Sequence, residues 1–371
     1  MILLHPLLLY SWTHLPLPVR ICLIISVISI GGILFALFNI LIHRYVLAIL
    51  QRKNKTDCDE INRDLLAAMV LESTGPATDV SLFEKFLASK RTRCLLVGEM
   101  IAYRNYFSGK IATRVCGLYL ALGLDRIARQ NLRARSWATR ASALSELFRM
   151  DVPLDNSLLH VFLYDKNKYI REYARLFLIK QSPSDPLRFL AEENQPISHW
   201  EETEIFHLFE HDDQRKAPAL NTLLSISNHT SLISLGLKLA AFFKEQEDIP
   251  AVLALVQIPD TRLRIEAIRT LAKMEAHGAE ETLVKQYDQE TPEVQATILS
   301  TLGRIGSAGV VNFIERQFNE SSSFEIKKHA SDAIILLSKY SKAAIDRLLA
   351  STETLNRTIL NHSLNPLING L

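Results

Sequence analysis

Glu204, His207 and His211 are spaced three and four residues apart and are followed directly by Asp212 and Asp213. On a helix that spacing places the three side chains on one face. A carboxylate with two imidazoles is a ligand set that zinc and di-metal helices use. A di-metal bundle needs a second such motif, and a zinc hydrolase needs His-Glu-x-x-His; the sequence holds neither. The face is read as exposed and polar, and no metal ligand is assigned. Gly303-x-x-Gly306-x-x-Gly309 has the glycine density of a phosphate loop but lacks the Lys-Ser/Thr that would hold phosphate and Mg²⁺. It reads as a helix C-cap and turn. Cys22, Cys58, Cys94 and Cys116 form no C-x-x-C pair, and no nucleophile elbow occurs. No catalytic residue and no cofactor are assigned, so the chain is expected not to be an enzyme.

Composition narrows the classes further. The 371 residues are 48% hydrophobic with only 13 Gly and 13 Pro, which disfavours turn-dense all-β folds and points to a packed core. A net charge of +2 excludes a polycation that holds nucleic acid by bulk charge. Charge is nonetheless unevenly placed. Residues 91–140 carry ten Lys and Arg against Glu99 and Asp125, whereas residues 190–213 carry eight acids and no Lys or Arg. The basic block suits anionic lipid headgroups, which attract each nearby cation by ~1 kcal/mol. Nucleic acid is disfavoured as a partner.

Between Arg20 and His43 lie 22 residues without a charge. As a helix they span roughly 33 Å, enough for a hydrocarbon core of ~30 Å. Residues 1–19 hold no Lys or Arg and no small-x-small cleavage site follows, so an uncleaved transmembrane helix over 21–42 is expected rather than a signal peptide. Arg44, Arg52, Lys53 and Lys55 follow the span while only Arg20 precedes it, which predicts an outward N-terminus and a cytoplasmic bulk. In a bacterium that location is the inner membrane. Ser29, Gly32 and Ala36 form a small-residue stripe within the span that suits helix–helix approach.

Beyond residue 60 the pattern is helical throughout, and it repeats. An apolar anchor with a partner four positions on recurs as Trp137…Ala141, Ile170…Ala174, Trp200…Glu204, Leu232…Gly236, Leu263…Ala267, Val294…Ile298 and Ile326…Ala330. The anchors are separated by 33, 30, 32, 31, 31 and 32 residues. Anchor and partner share a helix face, and a small partner lets a neighbouring helix come close. Asn167, Asp260, Thr291 and Ser323 stand three before their anchors as expected N-caps, with Pro292 at a first helical position. A period of about 31 predicts two helices of eleven to fifteen residues with tight turns.

Ile170-Arg171-x-x-Ala174, Leu263-Arg264-x-x-Ala267, Ile326-Lys327-x-x-Ala330 and the turn Leu302-Gly303-Arg304-Ile305-Gly306 resemble HEAT-type helical repeats in a short form. Trp200-Glu201-x-x-Glu204 departs from the pattern, and the usual HEAT period is longer, ~40–47. The resemblance implies an all-α protein: a HEAT-like α-α superhelix, a solenoid of antiparallel helix pairs, preceded by one transmembrane helix. The expected divisions are a short N-terminal segment 1–20, the span 21–42, a juxtamembrane helical cap 43–107, repeats over 108–351 and a degenerate cap over 352–371. The resemblance also implies a concave partner-binding face, expected to include Arg140, Arg171, Arg175, Glu201, Glu204, Arg264, Arg269 and Lys327. The expected role is a membrane-anchored scaffold for a protein partner, such as a membrane-bound biosynthetic enzyme of the glycosyltransferase kind. Two other classes stay open: an enzyme on a HEAT-like body, metal-dependent at His207 and His211 or acting on nucleic acid, and a structural membrane protein oligomerising through its span.

Overall fold

In a computed structural model the described residues are 16–70, 80–182, 186–210, 217–350 and 354–365. Among them are nineteen α-helices and no strand. The chain forms two compact units, Met1–Val152 and Pro153–Leu371.

The first unit begins with α1 (Leu17–Val70), a single helix of 54 residues. The expected boundary at residue 42 is not a break, because no Gly or Pro interrupts the polar residues that follow the apolar run. Ile28–Leu65 is long and apolar enough to cross a membrane, and its most apolar window is bare of any contact that buries it. The end of the same helix is core. Ile61 and Leu65 are fully buried where α1 packs on α3 (Lys90–Tyr106). Lys85 of α2 (Ser81–Leu87) donates to Glu60 at 2.7 Å and lies 2.9 Å from Asp64. The unit is completed by α4 (Lys110–Ala121), α5 (Leu124–Asn131) and α6 (Trp137–Arg149).

The second unit is a stack. Its pairs are α7 (Asn156–Leu163) with α8 (Lys168–Gln181), then α9 (Arg188–Glu193) with α10 (His199–Glu210). A turn region precedes α11 (Thr230–Phe243). There follow α12 (Ile249–Ala254) with α13 (Thr261–Lys273), α14 (Glu280–Gln286) with α15 (Pro292–Ile305), α16 (Val311–Glu320) with α17 (Phe324–Leu336), and α18 (Ser338–Ala350) with α19 (Thr354–Ser363). Successive second helices pack on one another: α8 on α10, then α11, α13, α15, α17 and α19 in turn.

Three central first helices are shorter than the expected eleven to fifteen residues: α12 has 6, α14 has 7 and α16 has 10, whereas α18 has 13. With 13 or 14 residues in α13, α15 and α17, a 31-residue period leaves little for the mate, and 3₁₀ turns such as Tyr287–Gln289 fill the remainder. Asn167, Asp260 and Ser323 cap their helices as expected, accepting from the N–H groups of Tyr169, Leu263 and Ile326. Thr291 occupies the N-cap position of α15 but its hydroxyl makes no capping bond.

The anchors and their partners form the seam of this stack. Ile170, Ala174, Leu232, Leu263, Ala267, Val294, Ile298 and Ala330 are all fully buried. Trp137 is 49% exposed and belongs to the first unit, so the register starts at Ile170. In α10 the burial moves one residue along, from Trp200 and Glu204 to Glu201 and Ile205. Gly303 shows how tight the seam is: a Cβ there would stand 2.7 Å from the Ala333 Cα of α17. Gly306 ends α15 with its N–H on the Leu302 carbonyl, so the glycine series is the C-cap and turn expected from the sequence.

Candidate functional site: a groove along the second helices

Three cavities of about 370, 580 and 250 Å³ lie along the row of second helices in the stacked unit. The first two share Arg269, Lys273 and Glu293; the last two share Lys238, Ala241 and Lys273. They form one groove over α10, α11, α13, α15 and α17.

The lining follows the repeat register. Relative to each anchor, the groove is lined by positions −1 (Arg262, Glu293, Glu325), +3 (Glu266, Thr297, His329), +6 (Lys238, Arg269, Ser300) and +10 (Lys273, Arg304). Steps of three and four keep one face of a 3.6-residue helix in line. Several polar groups are fixed by their neighbours. Ser234 donates to both oxygens of Glu266 at 3.0 and 3.1 Å, and Ser300 lies 2.8 Å from the Nδ1 of His329. Burial pushes the Glu266 carboxyl up, against the Ser234 hydroxyl and the Lys238 charge, which pull it down. Lys238 also reaches Glu202 at 2.7 Å. Arg269, Lys273 and Arg304 extend into solvent.

Of the residues expected on the partner-binding face, Arg269 lines this groove. Arg175, Glu201 and Lys327 do not face outward. Arg175 donates from Nε and Nη2 to Glu201 at 2.6 and 2.9 Å in a pair closed to solvent, and the buried Lys327 donates to Asn356 of α19 at 2.7 Å. Arg171 and Arg264 hold turns. Arg171 donates to the carbonyls of Asp165 and Lys166 at 2.8 and 3.1 Å, and Arg264 to the Pro259 carbonyl at 3.3 Å and to both Glu290 oxygens at 2.7 Å. Arg140, in the first unit, donates to the Ala134 carbonyl at 3.4 Å. Glu204 is half-buried in α10.

Arg171 and Arg264 stand one after their anchors, about 200° around the helix from the groove position before it, so they reach back to the turn that precedes their helix. Lys238, Lys273, Arg304 and His329 also face the groove, at positions +6, +10, +10 and +3 from their anchors, and that fixed offset is the signal in the sequence that marks them.

The basic block 91–140 is partly consumed inside the first unit. Arg91 pairs with Asp57, Arg104 with Asp151 at 2.5 Å, and Arg93 reaches the Leu87 carbonyl at 3.5 Å. Arg126, Arg133 and Arg135 are exposed. His207 pairs with Glu210 at 3.0 Å; His211, Asp212 and Asp213 lie outside the described residues. Among the described residues no three His, Cys, Asp or Glu side chains converge as metal ligands.

A stack of antiparallel helix pairs, each touching its sequence neighbours, defines an α-helical solenoid. Residues 249–335 match the family model of HEAT repeats, and the solenoid around them is HEAT-like in architecture. A search of curated proteins finds no match. Among solved structures, the chain is similar to the complex of CpcE and CpcF of phycocyanin lyase from Nostoc sp. PCC7120, at 16% identity and a TM-score of 0.30, over 57% of this chain and 76% of that one. An engineered protein is similar at 14% identity and a TM-score of 0.18, over 72% of this chain and 94% of that one.

Proposed function

We propose that this protein is a membrane-anchored HEAT-repeat scaffold that holds a protein partner in the groove along its second helices. The observation that carries the reading is the unbroken groove, lined at fixed repeat positions by Lys238, Arg269, Lys273 and Arg304 among the carboxylates Glu266, Glu293 and Glu325. A surface of alternating sign selects a partner with a complementary stripe and rejects mismatched ones through like-charge contact. The partner class to test first is a membrane-bound biosynthetic enzyme such as a glycosyltransferase.

Anchoring is supported by α1. A cleaved leader would remove its apolar stretch, but here that stretch is continuous with the helix whose end buries Ile61 and Leu65. Ser29, Gly32 and Ala36 are exposed along it, and a Cβ at Gly32 would meet nothing within 4 Å, which suits a contact with another membrane helix. The Lys/Arg asymmetry orients the solenoid to the cytoplasm. Arg126, Arg133 and Arg135 are assigned to anionic headgroups.

The decisive experiment is capture from native membranes by the full chain. Arg269→Glu with Lys273→Glu should abolish recovery of the partner, while Lys342→Glu on α18, outside the groove, should leave it intact. Equal recovery with both variants would refute the groove. A reporter fused after Leu371 should behave as cytoplasmic, and an exported reporter would overturn the orientation.

A further inference from the structure

A second cavity of about 510 Å³ lies wholly within the first unit, between α3, α5 and α6. Lys90, Arg93 or Cys94, Val97 or Gly98, and Ile101 line it from successive turns of one face of α3. Lys90 to Ile101 spans roughly 16 Å along that helix. The face grades in chemistry. Its first turn holds Lys90 and Arg93 and no acid, at the positive end of the helix dipole. Val97 and, from α5, Leu124 form a buried floor, with Ile101 and Ile127 beside it.

The α6 wall carries Glu146, which accepts the Tyr119 hydroxyl at 2.7 Å. Burial raises the Glu146 carboxyl, against Tyr119 and Arg93, which lower it. Gly98 leaves the mouth open, since a Cβ there would meet nothing within 4 Å. A cleft of this size suits a small ligand rather than a protein segment.

We infer that this cleft binds a single-chain anionic amphiphile, its acid group at Lys90 and Arg93 and its aliphatic body over Val97, Leu124 and Ile127. The cations alone would take any small anion, and the floor alone any apolar molecule. Their succession along one helix face selects a molecule with both. This site is independent of the partner-binding groove and is tested by a different readout.

Cys94 is exposed on the lining and reports occupancy directly. The full chain in zwitterionic phosphatidylcholine nanodiscs is alkylated with a maleimide, and the Cys94 and Cys116 peptides are followed by mass spectrometry. Saturating dodecanoate should slow Cys94 alkylation at least tenfold and leave Cys116 unchanged. Dodecyltrimethylammonium and inorganic phosphate should each protect Cys94 less than twofold. Gly98→Leu should remove the protection by filling the cleft, and Arg93→Gln should raise the dodecanoate concentration needed at least tenfold. Protection by the cationic amphiphile to the same extent would overturn the proposal in favour of unspecific apolar binding. Full protection by phosphate alone would overturn it in favour of a free-anion site. Absence of protection by dodecanoate, or protection that survives in both variants, would also overturn it.

Discussion

Arg175 of α8 and Glu201 of α10 meet in a two-bond ion pair, at 2.6 and 2.9 Å, sealed between the second helices of consecutive repeats. Glu201 takes up the buried place that an apolar anchor fills elsewhere, and Arg175 is what allows a carboxylate there. Burial drives the Glu201 carboxyl up, and its bonds to Arg175 pull it back.

Removing one partner should therefore cost far more than removing both. Arg175→Met alone strands a buried carboxylate and should destabilise the stacked unit by about 3–5 kcal/mol. Arg175→Met with Glu201→Leu should recover most of that loss. Urea denaturation of the two variants checks it; equal losses would mean the pair is not coupled.

The seam between α15 and α17 has no room for a methyl group at Gly303, where the obstacle is the Ala333 backbone. Gly303→Ala should cost about 1–3 kcal/mol through overpacking. Gly278→Ala, where a Cβ meets nothing within 4 Å, should be neutral or slightly stabilising. Thermal unfolding of both separates crowding at the seam from a general intolerance of side chains at glycine positions.

Glu146 supplies a pH dependence with a definite sign. Its folded pKa lies above the ordinary carboxylate value of ~4.3, chiefly through burial, so the folded state holds the proton more tightly than the unfolded one. Stability from this group is present below that value and is lost as pH rises through the folded pKa. Glu146→Gln keeps an acceptor for the Tyr119 hydroxyl and should be at least as stable as the parent at pH 7, with the advantage shrinking toward pH 4. Denaturation midpoints at the two pH values test it, and an advantage that grows on acidification would contradict the assignment.

The two halves of α1 should behave differently on truncation. A chain beginning at residue 50 loses the bare apolar stretch but keeps Ile61 and Leu65, and should be soluble and fully helical by circular dichroism. A chain beginning at residue 71 uncovers Leu96 and Met100 of α3, which are fully buried in the whole protein, and should unfold its first unit at lower temperature. Equal melting of the two chains would mean that the end of α1 contributes no core.

The helical class, the apolar helix and five of the seven repeat anchors are legible in the residues alone. Those are local properties: an uncharged run of 22 residues, a period near 31, and Asn, Asp and Ser at N-cap positions can be read without knowing what packs on what. Except in α10, where it moves one residue along to Glu201 and Ile205, the buried seam from Ile170 to Ala330 follows the register because anchor and partner lie one helical turn apart. What each charged residue does was decided only by tertiary structure. Arg264 and Arg269 are five positions apart on one helix, yet the first bonds Glu290 and the Pro259 carbonyl while the second opens into the groove. Nothing in their identities distinguishes them, because a guanidinium pairs with whatever carboxylate or carbonyl the neighbouring repeat brings within reach. The continuity of α1 into the first unit was hidden for the same reason. A helix carries no mark where its bare apolar residues give way to core; that distinction is made where α1 packs on α3 and Ile61 and Leu65 are buried.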